Sequence, residues 1–203
     1  MGRLLIRTEN DPGSWPAGRE HLSMGRVYDD ISPALADWIR RQHVFFVATA
    51  PLAVDGHVNV SPKGLDTLRI LDERTVAYLD LTGSGIETVA HVRENGRITL
   101  MWCAFEGPPR IVRVSGLGEI VPLDDPRVVE LGFPEIRGAR GVVLVHADRI
   151  ADSCGYAVPK YRFEGERDRL LEWAADKTDD ELVDYRTTKN AVSIDGLPGE
   201  LTA

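Results

Sequence analysis

The sequence predicts a mainly β protein, a closed or nearly closed antiparallel barrel with peripheral helices. Six or seven short runs rich in Val, Ile, Thr and aromatic residues recur at close spacing, the residue types that fit a pleated, half-buried surface. Most are joined by turns too short to hold a crossover helix, so neighbouring strands run antiparallel. Helical periodicity is confined chiefly to the start, to a stretch after the fourth strand and to the end.

Residues 1–23 mix Asn, Asp, Pro, Gly and Ser with charges and lack periodicity, which reads as a flexible N-terminal arm. The contrast on either side of Met24 marks it as an alternative start. Ser32-Pro33 supplies a capping hydroxyl followed by proline at the first helical position. Leu35, Trp38 and Ile39 then recur at helical spacing, predicting a short amphipathic helix to about residue 42. Segment 44–50, VFFVATA, is a buried-strand pattern; Pro51 and Asp55-Gly56 mark the turn after it, and 57–61 alternates as a second strand. Segments 68–71 and 75–81 flank Asp72-Glu73-Arg74, which predicts a hairpin.

Thr82-Gly83-Ser84-Gly85 then breaks the strand, Ile86, Val89 and Ala90 recur at helical spacing, and Asn95-Gly96 supplies the stop of a left-handed cap. A strand resumes over 97–104. Glu106-Gly107-Pro108-Pro109 turns the chain into a long strand over 111–121, where Gly116 and Gly118 predict a bulge or bend. Asp125-Pro126 opens a short helix to about residue 131, and 141–146, GVVLVH, is the last clear strand. From Glu164 the pattern turns helical, with Leu170, Leu171, Trp173 and Ala174 on one side of a charged helix. Thr178 with Glu181 makes a capping box for a second helix, and SIDGLPGELTA is a tail punctuated by Gly and Pro.

Length and composition bound the function. At 203 residues, 43% hydrophobic and 28% charged, the chain fits one soluble domain with a substantial core. No apolar run approaches the ~20 residues of a membrane helix, and the N-terminal stretch lacks the apolar core of a secretory signal. Cys103 and Cys154 allow one disulfide at most and read more simply as reduced thiols of a cytoplasmic protein. A net charge of −8 argues against nucleic-acid binding. Any bound phosphate requires a local exception to that acidic field.

The stretch TGSGIET at 82–88 admits three readings. Gly83-x-Gly85 after a strand and before a helix, with Glu106 about twenty residues on, has part of a dinucleotide fingerprint, but Thr88 replaces its third glycine and no further βαβ units follow. Alternatively, hydroxyls and helix-start amides on a barrel rim cradle a phosphate. The third reading is a plain strand–turn–helix junction capped by Ser84. Ser61-Pro62-Lys63 ends a strand with a hydroxyl and a cation suited to a phosphate or a ring edge, or simply terminates an edge strand. The loop Asp152-Ser153-Cys154-Gly155-Tyr156 follows the last strand, where it can reach a ligand or a second subunit; no His/Asp partner at useful spacing marks Cys154 as a nucleophile. His57, His91 and His146 are isolated, so no metal site is predicted.

The path HVNVSPKG, TVAYLDLTGSGIETVAHVRENGRITLMW and IVRVSGLGEI resembles the pyridoxamine 5′-phosphate oxidase-like, FMN-binding split-barrel family over roughly residues 25–160. The strand–turn–helix–ENGR–strand order is its most specific part. SCGYAVP and SIDGLPG resemble features of a branch distinct from the true vitamin B6 oxidases. The resemblance implies a mainly β (α+β) fold, an antiparallel split β-barrel with peripheral helices. Its FMN-binding domain would span 24–160, with C-terminal helices and tail over 161–203 packed on the same domain. It further implies a homodimer with FMN in the groove between subunits. The phosphate would lie near Ser61, Pro62 and Lys63 and at the corner of Gly83, Ser84, Gly85 and Thr88. The isoalloxazine would lie along Leu79, Asp80, Leu81 and Thr82, with Cys154 and Tyr156 reaching in from the partner.

Two departures qualify what the resemblance implies. Glu87-Thr88 stands where true oxidases carry an Arg-Lys pair, so phosphate affinity would rest on Lys63, hydroxyls and amides, with Arg97 or Arg113 as compensating cations. The C-terminal Arg/His signature that grips pyridoxal phosphate is also missing. The implied function is a dimeric, cytoplasmic FMN-dependent oxidoreductase acting on a small molecule, with hydride chemistry belonging to the cofactor and no catalytic acid or base assigned. The alternative is a non-catalytic flavin- or ligand-binding carrier or sensor, or a barrel using F420 or haem.

Overall fold

The computed structural model describes residues 25–199. The flexible arm predicted over 1–23 and the alternative start at Met24 lie outside the described residues. In chain order the elements are β1 (Val27–Tyr28), α1 (Pro33–Arg40), β2 (Phe45–Thr49), β3 (Asn59–Lys63), β4 (Leu68–Ile70), β5 (Thr75–Leu81) and α2 (Glu87–Asn95). There follow β6 (Arg97–Cys103), β7 (Ile111–Val121), α3 (Pro126–Glu130), β8 (Ala139–Ser153), α4 (Arg169–Ala175) and α5 (Asp179–Lys189).

The strands form one antiparallel sheet in the order β3-β2-β6-β7-β8-β5-β4, with β1 paired to β8. The sheet curls on itself. Although β2 and β5 are not neighbours in it, Phe45 meets Tyr78 edge-on with ring centroids 5.6 Å apart. The Lys63 ammonium on edge strand β3 likewise reaches the Asp80 carboxylate on β5 at 3.1 Å. This is the split barrel that the family resemblance implies, and a form of the nearly closed antiparallel barrel that the strand pattern predicts. Its interior is filled by Val47, Leu100, Trp102, Val112, Val114 and Val145, all essentially inaccessible, and α1 plugs one end with Leu35 and Ile39.

Local chemistry explains the elements. Ser32 accepts a hydrogen bond from the Leu35 amide with Pro33 at the first position of α1. Thr178 and Glu181 form the reciprocal capping box of α5. Gly96 ends α2 in the left-handed conformation, φ 73°. The β7–β8 register shifts between Ser115 and Gly116, where Asp148 of β8 is the extra residue; the strands approach so closely there that a Cβ at Gly116 would stand 2.0 Å from the His146 carbonyl oxygen.

Besides β1, which no pattern in the sequence predicts, three elements differ from expectation. Strand β8 runs to Ser153 rather than stopping near residue 146, because its second half carries exposed His146, Asp148 and Arg149 while Ala147 and Ile150 still face inward. Strand β3 is shifted to Asn59–Lys63 and contains Pro62, which an edge position tolerates. The first C-terminal helix begins at Arg169, well after Glu164.

Candidate functional site

The ends of β3 and β5, the β6–β7 turn and segment 161–170 surround a cleft of about 1670 Å³. It brings together Pro62, Lys63, Leu79, Leu81, Thr82, Gly83 and Cys154 of the residues the sequence singles out. Ser61, Asp80, Ser84, Gly85, Thr88 and Tyr156 lie off its walls, as do Arg97 and Arg113. Arg97 donates instead to the Pro51 carbonyl and Arg113 to the Ser153 hydroxyl.

Strand alternation places Asn59, Ser61 and Lys63 on one face of β3. Ser61 donates to Asn59 (2.8 Å), whose amide donates to the Thr88 hydroxyl at 3.0 Å and the Thr49 hydroxyl at 3.1 Å. Thr49 in turn bonds His91 Nδ1 at 3.0 Å. Ser61 and Thr88 are therefore joined through Asn59, but in a polar ladder beneath α2 rather than around an open pocket. Burial holds the His91 imidazole below its ordinary pKa despite Asp195, Glu87 and Glu94 nearby.

Lys63 leads from that face to the most buried charge cluster. Asp80, 1% exposed, accepts from Lys63 Nζ at 3.1 Å and from Arg140 Nε at 2.6 Å. Burial alone would push its pKa up; the two cations outweigh that and hold the carboxyl below its usual range. Arg140 also donates to the Gly85 carbonyl (3.1 Å) and to Asn190 Oδ1 at 2.9 Å, while Asn190 Nδ2 donates to the Gly83 carbonyl at 3.0 Å. From α5, Arg186 donates to the Thr82 hydroxyl and the Ala139 carbonyl, both at 2.9 Å. The TGSG loop is thus held from behind by β8 and the C-terminal helix. Sequence reading missed Arg140, Arg186 and Asn190. Nothing in an Arg on a late strand, or an Arg-Asn pair at a helix end, announces that its partner is a loop 55 to 107 residues earlier.

The structure corrects two readings of TGSGIET. Helix α2 starts at Glu87 with Ile86 as its unassisted cap residue, and Ser84 is exposed, so Ser84 does not cap the helix. Every strand pairing described is antiparallel, and β5 and β6 are not neighbours, so the dinucleotide fold is absent among the described residues.

The SIDGLPG tail lies against the first turn of α2. The Ile194 amide donates to Glu87 Oε1 at 3.3 Å, and Gly199 packs so closely on Ile86 that a Cβ would come within 2.7 Å of its side chain. Asp195 accepts from the His57 amide at 2.7 Å and pairs with its ring Nδ1 at 2.6 Å. That bond raises the His57 pKa and lowers that of Asp195. The imidazolium form holds the clasp, so its contribution is complete below the ordinary histidine value of 6.5 and is lost as pH rises through the higher folded value. Hydrogen exchange at residues 191–199, corrected for intrinsic rates, should accelerate across that rise. His57→Ala should remove the pH dependence, and an unchanged profile would show that the clasp does not act.

The cleft departs from the acidic balance of the chain. Arg26, Arg41, Lys63, Arg110, Arg162 and Arg167 line it against Glu106, Asp152 and Glu166, although the chain carries −8. All three carboxylates are engaged: Asp152 by Arg110, Glu106 by the Phe163 amide at 3.4 Å, and Glu166 by the Leu65 amide at 3.4 Å. Among the described residues the guanidinium groups of Arg26, Arg41, Arg162 and Arg167 make no hydrogen bond or ion pair. Segment 161–167 spans both walls, with Phe163 stacked on His43 (centroids 3.6 Å apart, planes 4° apart) and the Tyr161 amide on the Phe105 carbonyl at 3.0 Å. An apolar floor under unneutralised cations favours a planar, anionic ligand.

Among known proteins, the family model described as pyridoxamine 5′-phosphate oxidase matches residues 31–154. A relative from Aspergillus flavus, described as pyridoxamine 5′-phosphate oxidase family protein ustO, is 39% identical over 191 residues, 85% of this chain and 76% of that protein. Solved structures share less. HupZ of Group A Streptococcus is 24% identical over 59% of this chain and 91% of its own, with a TM-score of 0.46. The FAD binding protein from Mycobacterium smegmatis is 17% identical over 61% and 94%, with a TM-score of 0.43. Likeness at that level bears on neither ligand nor activity. No helix of the described residues is long and apolar enough to cross a membrane.

Proposed function

The chain belongs to the pyridoxamine 5′-phosphate oxidase family, and from that premise we propose that it is an FMN-dependent oxidoreductase acting on a small molecule. The observation that carries this is the cationic cleft with an apolar wall in an acidic chain. Pro62, Leu79 and Leu81 suit a planar ring, and Lys63 with the Gly83 amide suits a phosphate. The Thr82 hydroxyl accepts from Arg186, which leaves its own proton to donate. When bound, the flavin would supply the hydride chemistry, while these residues orient it and exclude water.

We read 24–160 as the cofactor-binding unit and 161–203 as C-terminal helices and tail packed on the same domain. The functional unit is a cytoplasmic homodimer. Tyr156, 63% exposed beside Cys154, is available to a second subunit. Absorbance of the purified protein and a fluorescence titration with FMN test the reading; a colourless protein unresponsive to FMN would overturn it. Ser84→Asp adds a carboxylate one residue from Gly83 at an exposed position and should weaken FMN several-fold at low salt, by the order of a charge placed near a bound anion. Unchanged affinity would move the phosphate away from this corner.

Glu87 at the helix start, with the tail resting on it, favours a second reading: a carrier or sensor that holds its ligand without turnover. Flavin bound tightly but not reduced by NADH or NADPH would assign that role, and parallel titrations with F420 and haem would identify another cofactor.

A further inference from the structure

Where β1, β7 and β8 meet, the cleft holds a second cluster that the flavin reading leaves unused. Arg110 donates to Asp152 Oδ2 through Nε at 3.2 Å and Nη2 at 3.0 Å, and Nη2 also reaches the Tyr28 hydroxyl at 2.8 Å. The Tyr28 hydroxyl donates to the same carboxylate oxygen at 2.5 Å. One edge of the guanidinium is therefore fixed by two partners, and Nη1 has none among the described residues. The Arg110 guanidinium lies 5.2 Å over the Trp38 ring, and that of Arg26 lies 4.8 Å over Tyr28. All five residues line the cleft.

This is more than a brace between β1 and β8. Holding an arginine by one edge against a carboxylate and a ring preorganises its other edge, which removes most of the entropy cost of binding an oxyanion. Arg26 supplies a second donor fork with no anionic partner for its guanidinium among the described residues. Two cations against Asp152 leave one positive charge, which matches a monoanion better than a phosphate dianion. Trp38 supplies an apolar face beside it. We propose that the Arg26–Arg110 end of the cleft binds the carboxylate of a small planar organic acid, with Arg110 as the specificity-determining residue. The proposal rests on the flavin reading only in that such an acid would lie in the same cleft as the cofactor.

The test is calorimetry on the full chain with benzoate, benzamide and inorganic phosphate as probes. Benzoate should bind, benzamide at least about ten-fold more weakly, as loss of one charge-assisted hydrogen bond predicts, and phosphate more weakly than benzoate. Arg26→Gln, at a side chain with no hydrogen bond among the described residues, should lose about as much benzoate affinity while its melting temperature stays put. Arg110→Gln should lose more, and Arg113→Gln, off the cleft walls, should bind like the parent. Benzoate and benzamide binding alike, no benzoate binding, a preference for phosphate, or full affinity in Arg26→Gln would each overturn the proposal. FMN titrations on the same proteins keep the outcomes separate, because benzoate binding without flavin binding sustains this site while refuting the flavin reading.

Discussion

Asp80→Asn is expected to destabilise the protein by about 3–5 kcal/mol, the range for breaking a buried ion pair by removing one partner. The side chain is nearly isosteric, so almost none of this is a cavity. What changes is charge: Lys63 and the buried Arg140 lose the carboxylate between them, and Arg140 also positions Gly85 and Asn190. For a chain of this length that corresponds to a fall in Tm on the order of 10 °C. Denaturant unfolding measures it, and a loss under about 1 kcal/mol would show that the cluster adds little. Lys63→Met in the Asp80→Asn background should recover part of the loss, because it removes one of the stranded cations. The pH dependence has a definite sign. Asp80 titrates below its ordinary value in the folded protein, so its contribution is present above that ordinary value and disappears as pH falls through the folded one. Asp80→Asn should flatten the acid limb of the stability profile.

The second large effect is steric. Gly116→Ala places a methyl group 2.0 Å from the His146 carbonyl oxygen and 2.8 Å from its carbonyl carbon. Both are backbone atoms of β8, so no rotamer change relieves the overlap, and β7–β8 is the longest ladder of the sheet. A loss of about 3 kcal/mol, the upper range for overpacking, is expected, with the register on either side of the bulge disturbed. Gly132→Ala is the control: its φ of 61° is left-handed, as that of Gly116 is not, and nothing stands within 4 Å of the added methyl. It should lose only the ~1 kcal/mol of that backbone conformation. A loss in Gly116→Ala no larger than that in Gly132→Ala would show that the contact with β8 is relieved by a small shift and does not make glycine necessary at 116.

Much of this barrel is legible in the residues because its signals are local. Ser32-Pro33, Asn95-Gly96, Asp125-Pro126 and Thr178 with Glu181 fix helix ends, and the turns between 68 and 121 fix the strands. The second half of β8 is hidden because Asp148 is left unpaired at the bulge, which sets the inward-facing Ala147 and Ile150 three residues apart and breaks the strand's alternation. The candidate site is half legible. Lys63, Leu79, Leu81, Thr82 and Gly83 stand at strand ends, where pattern reading looks for ligands. Arg26, Tyr28 and Arg110 also flank strand ends, but what joins them is the pairing of a two-residue strand to β8, a contact across more than a hundred residues that no local pattern announces. The TGSG corner was visible, but the segment that rests on it, 190–199, reads as an ordinary tail.

Pro62 carries a consequence beyond the cleft it lines. Strand β3 is an outer strand whose flank exposes Val58 (70%) and Val60 (60%), the kind of sticky border that recruits strands from other molecules. A proline in such a strand has no amide proton to offer an incoming chain, and its ring crowds the approach. The proline thereby opposes runaway sheet extension and fibre growth along this border.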